Sequence, residues 1–337
     1  METKVLEPNA AGLGEAGEII RQGGLVAFPT ETVYGLGANA LSAEAVAKIY
    51  EAKGRPRFDP IIVHVSSPRE AEGLWSQVPP LARKLMERFW PGPLTLVLPK
   101  KGIVPDIVTA GLPTVAIRMP DHPVALGLIR AAGVPVAAPS ANRFGRPSPT
   151  HHQHVLEELA GRIDAVLACG DTPVGIESTV LSLVENPPRV LRLGGTPLEA
   201  LRELVGELKV EPFVGRSASP GTLRRHYVPS TPLFLLEPGR PEPTWNPMPR
   251  SRCGLLAFRS PKLGFGRVEV LSPEGDLRQA AARFFSLLRL LDSLGFSALV
   301  AEPVPEEGLG LAIMDRLKRA AVGRARLDTD EVWLIRD

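Results

Sequence analysis

The chain has 337 residues, of which 44% are hydrophobic and 23% charged, and its formal net charge is +2. That length predicts two domains with a substantial core, and so small a charge argues against a nucleic-acid coat or a membrane-seeking surface. Two widely separated cysteines, Cys169 and Cys253, indicate neither a disulfide framework nor a zinc site. No apolar run is long enough to span a bilayer, and Met1-Glu2-Thr3-Lys4 does not read as a signal peptide, so a cytoplasmic protein is expected.

Gly12 to Gln22 predicts a first helix, and the apolar run Leu25 to Phe28 a buried strand. Pro29 ends that strand, and Thr30, Glu31, Thr32 and Tyr34 follow in a polar loop. Gly35 and Gly37 read there as positions of positive φ or of close approach to a ligand. Ser42 caps a helix over Ala43 to Ala52, which the Lys53-Gly54-Arg55-Pro56-Arg57 turn stops. Ile61 to Val65 is a strand, Pro79 to Phe89 a helix, and Leu94–Leu98 and Thr114–Arg118 are strands. A helix from Pro123 to Ala132 closes at Gly133. The strand Val134–Ala138 then runs into Pro139-Ser140-Ala141-Asn142, and Thr150 is expected to cap the helix that starts at His151. Strands at Ala165–Ala168, Thr179–Val184 and Val190–Leu193 and a helix from Pro197 to Val205 complete an interleaved α/β pattern.

Composition shifts after about residue 207. Residues 1–207 form the expected first domain, 208–231 a linker draped over the site, and 232–337 a small Rossmann-like domain. Its strands are Leu233–Leu236, Gly254–Phe258, Val268–Leu271, Ala298–Ala301 and Val332–Ile335, with helices at Leu277–Leu294 and Leu311–Ala321. Pro238 to Pro249 is a Pro-rich stretch, the one low-complexity block in the sequence.

Each chemical signal is modest alone. Lys53, Arg55 and Arg57 offer a compact charge and planar forks for carboxylate or phosphate, or they form a solvated turn. Arg118 ends an apolar strand, so it either snorkels outward or pairs with a buried anion. Ser140 and Asn142 follow a strand directly, where open α/β sheets bind ligands, although both residues also favour turns. Glu31 reads as a general base or, in preference, as a brace for its loop, and His64 as a core histidine. His151, His152 and His154 lack partners at ligand spacing and read as a solvated helix start. Convergence lifts these signals, because Thr32, Arg118, Ser140 and Arg192 all stand at strand ends.

FPTETVYGLGANA, KGRPRFDPIIVHV, WPGPLTLVL, PVAAPSANRFGRPSPT, GIESTVL and RVLRLG occur in this order and resemble the YrdC-like threonylcarbamoyl-AMP synthases over roughly residues 10–205. Ser219-Pro220-Gly221 and His226-Tyr227 resemble the linker of the family's long form, which carries a C-terminal Rossmann-like domain. The resemblance implies a YrdC-like α/β fold: a twisted, mostly parallel sheet with helices around a basic cavity. It implies a nucleotidyltransferase that makes threonylcarbamoyl-AMP, pyrophosphate and water from L-threonine, bicarbonate and ATP, with Mg2+ bridging the triphosphate. The product would serve separate transferase proteins that build threonylcarbamoyladenosine beside the anticodon of tRNA, leaving room for a weak tRNA contact and none for a membrane.

By the same resemblance, Thr32, His64, Arg118, Ser178 and the backbone of Ala138 fall at threonine-binding positions. Arg55, Asp59, Thr114, Ser140, Ser148, Arg192 and Tyr227 fall at ATP positions. Lys53, Arg55, Ser140 and Asn142 match the family's signature, with Lys53 and Arg55 expected to carry catalysis and no residue set aside for a metal. Asp59 stands where long-form relatives commonly carry Asn, so contact with ribose, base or metal is expected of it in place of phosphate. Thr222 replaces a frequent methionine. Two other readings remain: an RNA-binding module using Lys53, Arg55, Arg57, Arg143 and Arg146, and a carbamoyltransferase accessory domain. The second lacks the acylphosphatase-like and zinc-finger segments that would surround such a fold.

Overall fold

The computed structural model describes residues 2–210, 226–242 and 244–337. They divide into two compact units. The described residues of the first are 2–144 and 148–210, and those of the second are 145–147, 226–242 and 244–337. Most of the expected linker, residues 211–225, lies outside the described residues.

The first unit begins with β1 (Lys4–Leu6), α1 (Ala10–Arg21), β2 (Val26–Phe28), β3 (Gly35–Asn39), α2 (Ala43–Lys53) and β4 (Val63–His64). It continues with α3 (Pro68–Leu74), α4 (Pro80–Phe89), β5 (Leu94–Pro99), β6 (Thr114–Arg118), α5 (Pro123–Ala132) and β7 (Val136–Ala137). Then come α6 (His152–Leu159), β8 (Ala165–Leu167), β9 (Thr179–Ser182), β10 (Arg189–Arg192) and α7 (Leu198–Val205). The ten strands make one sheet in the order β1-β8-β2-β3-β7-β4-β6-β5-β9-β10.

Four neighbouring pairs are parallel and five antiparallel among the described residues, so the sheet is mixed where a mostly parallel one was expected. Connection length accounts for two of the five antiparallel pairs. β2 and β3, and β9 and β10, are joined by short turns, which permit only antiparallel pairing.

Local signals set the helix ends. The Ser42 hydroxyl accepts from the Ala45 amide at 3.2 Å, and Gly54 closes α2 in the left-handed region at φ 62°. His151, not Thr150, caps α6: its Nδ1 accepts from the Gln153 amide at 3.2 Å, while the Thr150 amide donates to His154 Nδ1. Ala16 and Ile20 of α1 join Val124, Leu128 and Ile129 of α5 over Val26, Phe28, Val136 and Leu167, forming one core layer on the sheet.

Gly35 and Gly37 are strand residues rather than loop residues, and neither has positive φ. Gly37 is required for space, since a Cβ there would sit 2.8 Å from both Phe28 Cε1 and Val136 Cγ1.

The second unit contains β11 (Leu233–Leu236), β12 (Asn246–Pro249), β13 (Cys253–Ala257), β14 (Arg267–Val270) and α8 (Leu277–Ser293). It ends with β15 (Ala298–Ala301), α9 (Gly310–Ala320), β16 (Gly323–Asp328) and β17 (Glu331–Arg336). The strand order is β12-β17-β16-β11-β15-β13-β14, in which the five strands from β16 to β14 run parallel. α8 buries Ala281, Phe284, Leu288 and Leu291 on its expected face. The Pro-rich stretch supplies β12, an antiparallel edge strand, which is where a sheet tolerates proline.

Gly37→Ala is expected to destabilise the first unit by about 1–3 kcal/mol, because the Phe28 ring and Val136 lie in a packed layer and must shift. Urea denaturation followed by tryptophan fluorescence checks this; an unchanged midpoint would show that the layer yields freely.

Candidate functional site

β4 and β6 run parallel with His64 beside Arg118, so two polar side chains share the end of an otherwise apolar strand pair. The antiparallel register of β5 and β6 pairs Leu96 with Ile117 and so brings Thr95 level with Arg118. Arg118 is only 3% exposed. Its Nη1 donates to Thr32 Oγ1 at 2.9 Å, and its Nη2 to Glu31 Oε2. Thr30 Oγ1 lies 2.8 Å from Thr32 Oγ1 and donates to the Val33 carbonyl, which closes the polar loop on itself. Glu31 is therefore the brace that the sequence suggested, and Arg118 is the buried half of an ion pair rather than a snorkelling cation.

Across the same strand ends, Arg192 on β10 donates from Nε and Nη2 to the Ser178 carbonyl at 3.1 and 2.9 Å, and from Nη2 to Ser178 Oγ at 3.1 Å. Ser178 Oγ also lies 2.8 Å from Thr95 Oγ1. Burial first, and the positive charges of Arg118 and Arg192 acting the same way, together push the His64 imidazole down to about 3. His64 is thus neutral at any ordinary pH. One buried cluster therefore holds Thr32, His64, Arg118, Ser178 and Arg192.

A second group lies where α2 ends. Lys53 is 2% exposed and its ammonium donates to the Ser140 carbonyl at 2.6 Å and to the Asn142 carbonyl. Burial, then the nearby Arg55 charge, sets its pKa well below that of an ordinary lysine. Ser140 is tied in turn to Gly35 by an antiparallel bridge. Arg55 forms an ion pair with Asp59 at 2.8 Å and donates to the Pro60 carbonyl at 2.9 Å, with both charged side chains buried. Asp59 thus has Arg55 as its ionic partner. Among the five cations proposed for an RNA surface, Lys53 and Arg55 are buried, Arg146 pairs with Asp292, and Arg57 and Arg143 are exposed.

The remaining expected residues are distributed as follows. Ala138 donates its amide to the Ile62 carbonyl, so it lies against the approach to β4. Thr114 opens β6, at the opposite end of that strand from Arg118. Four residue steps along the strand separate them by roughly 13 Å. Ser148 donates to Glu177 Oε1 and is fully buried. Tyr227 belongs to the second unit, where it is buried against Phe285 and below the Arg316 guanidinium. Thr95 and Glu177 did not stand out in the sequence. A lone threonine in the apolar strand LTLVL, and the acid of GIES, were the signals available.

Comparison with known proteins adds the following. The Sua5–YciO–YrdC family profile, described as Telomere recombination, matches residues 18–194. The profile for Threonylcarbamoyl-AMP synthase, C-terminal domain, matches residues 196–322. A threonylcarbamoyl-AMP synthase of Pyrococcus abyssi is 45% identical over 320 residues, covering 91% of this chain and 93% of the relative. One of Bacillus subtilis is 44% identical over 335 residues, covering 96% of each. The crystal structure of P. abyssi Sua5 complexed with L-threonine superposes with a TM-score of 0.86 at 39% identity, covering 97% of this chain and all of that one.

Because the folded imidazole titrates near 3 against an ordinary 6.5, the unfolded chain binds more protons in that interval. The His64 contribution is therefore undiminished above the ordinary value and is lost as pH falls towards the folded one, at up to about 1.4 kcal/mol per pH unit. His64→Gln is expected to flatten the loss of stability between pH 6.5 and about 4.5. Denaturation series at several pH values measure this, and parallel slopes for the two proteins would refute it.

Proposed function

This chain belongs to the Sua5–YrdC family of threonylcarbamoyl-AMP synthases, and from that membership we propose that it converts L-threonine, bicarbonate and ATP into threonylcarbamoyl-AMP, pyrophosphate and water. The adenylate then serves tRNA modification to threonylcarbamoyladenosine, completed by separate transferase proteins. The observation that carries the reading is the Nε of Arg118. It is buried and has no hydrogen-bond partner among the described residues, although Nη1 and Nη2 are occupied. A buried guanidinium edge of this kind suits a carboxylate.

In this reading the amino acid sits among Thr32, His64, Arg118, Ser178 and the backbone of Ala138, with its carboxylate on Arg118. Neutral His64 supplies a ring that neither repels an incoming ammonium nor competes for the carboxylate. The amine combines with CO2 released from bicarbonate, giving a carbamate and a proton. A carbamate oxygen then attacks the α-phosphorus of ATP, and the bond to pyrophosphate breaks. Both partners in that step are anionic, so the site must offer charge and alignment more than a strong base.

ATP is assigned to Arg55, Asp59, Thr114, Ser140, Asn142, Ser148 and Arg192. Lys53 supports this role by fixing the carbonyls of Ser140 and Asn142, which sets the direction of the Ser140 hydroxyl and the Asn142 amide. Asp59, paired with Arg55, is suited to the ribose or base. Among the described residues no group of three or more His, Cys, Asp or Glu is arranged to hold a metal ion. Magnesium is assigned to the triphosphate, entering with the substrate and screening its charge.

Purified protein with ATP, L-threonine and labelled bicarbonate is expected to release pyrophosphate and form a labelled adenylate only when all three are present. Arg118→Lys is expected to lower kcat/KM for threonine by about 100-fold, since a point charge cannot replace the fork. Equal turnover with threonine omitted would exclude the assignment.

A further inference from the structure

Glu31 carries an unusual combination. Its side chain is 5% exposed, Oε2 is held by Arg118, and Oε1 is buried without a hydrogen-bond partner among the described residues. A buried carboxylate oxygen left without a donor is costly unless something supplies one. No backbone amide among the described residues supplies one, and the side chain is pinned by its other oxygen. Around it, Arg118 Nε and His64 Nδ1 are also buried and unpartnered among the described residues. The cluster thus offers an anionic acceptor beside a cationic donor, joined through one guanidinium. A ligand that satisfies both must bring a cationic donor and an anionic acceptor together, as the ammonium and carboxylate of an α-amino acid do.

We propose that Glu31 recognises the α-ammonium of the amino-acid substrate through Oε1, while Oε2 stays on Arg118. This rests on the reading that an amino acid binds at Arg118, and it adds the residue that selects for the amino group. Glu31 is then a specificity and positioning residue. It holds the guanidinium square to the substrate carboxylate and fixes the nitrogen that must become the nucleophile. Thr32 Oγ1, already engaged by Arg118 and Thr30, is less suited to take a charged donor. An α-hydroxy acid in the same place would present a neutral donor to a buried carboxylate, and a site built for the ammonium rejects such an analogue.

The test is isothermal titration of wild type and Glu31→Gln with two ligands: L-threonine, and 2,3-dihydroxybutanoate of matching configuration, in which a hydroxyl replaces the ammonium. Wild type is expected to prefer threonine at least tenfold. Glu31→Gln is expected to lose about 30-fold in threonine affinity while changing by less than about threefold for the hydroxy acid. If Glu31 only orients Arg118, both ligands weaken together in Glu31→Gln, and the proposal fails while the amino-acid reading stands. If wild type binds neither ligand, the amino-acid reading itself fails. Should Glu31→Gln not fold, the wild-type pair decides alone, since equal affinity for the two ligands would overturn the role of Oε1.

Discussion

A guanidinium cannot be taken out of water at the end of an apolar strand without a compensating anion, and that constraint at Arg118 organises much of the first unit. Its partners come from a loop 86 and 87 residues earlier in the chain, Thr32 through its hydroxyl and Glu31 through its carboxylate. The loop is held from three sides: by Arg118, by the Thr30 hydroxyl from within, and by the Val174 amide on the Glu31 carbonyl. An apolar residue at position 118 would pack at least as well and would leave Glu31 without a countercharge. A buried ion pair is a poor way to gain stability, so its presence here is better understood through what it holds ready.

The same logic recurs at the end of α2. Gly54 adopts the left-handed cap, so the helix stops with Lys53 in its last turn. The ammonium, instead of standing in solvent, lies against the carbonyls of Ser140 and Asn142 and so joins the helix end to the loop that follows β7. Arg55, one residue past the cap, turns the other way onto Asp59 and Pro60. Two adjacent cations thus fix two different loops. An isolated KGRPR motif reads as a solvated turn because nothing local reveals these acceptors.

What was legible in the sequence follows from the range of the forces involved. Helix ends were readable at Ser42, Gly54, Pro123 and Gly133 because a cap is decided within four residues. The apolar strands at β6, β11 and β15 were readable to the residue, since burial writes itself as a run of apolar side chains. Pairing direction was not readable, because it depends on which strands meet. Gly35 and Gly37 misled for a related reason: their glycines answer to Phe28, Val136 and Ala138 on neighbouring strands, not to the local chain. At the site, Arg118 and Arg192 end their strands as the residue pattern suggested, while Thr32 lies in the loop between β2 and β3. The dual use of Arg118 and the partner of Asp59 needed tertiary contacts to be seen. Thr95 was hidden because a threonine in a strand is ordinary until Ser178 stands 2.8 Å away.

In the proposed reaction the substrates meet along β6, with the amino acid at the Arg118 end and nucleotide contacts reaching the Thr114 end. A hydrogen-bonded strand in the interior of a sheet is nearly inextensible, so the distance between those ends is fixed by the backbone and not by side-chain adjustment. β5 pairs with β6 from Thr114 to Ile117, and β4 pairs with Ile117 and Arg118 on the other side. An enzyme that must join a short carbamate to the first phosphate of a nucleotide gains from such a spacer, because alignment of the reacting atoms is set before either substrate arrives. The two cations then have complementary tasks. Arg118 is held by Glu31 and Arg55 by Asp59, so each positive charge is oriented by an acid and each pair stays compact. Charge held in this way need not reorganise as anionic substrates approach one another, which is the condition under which it lowers a barrier most.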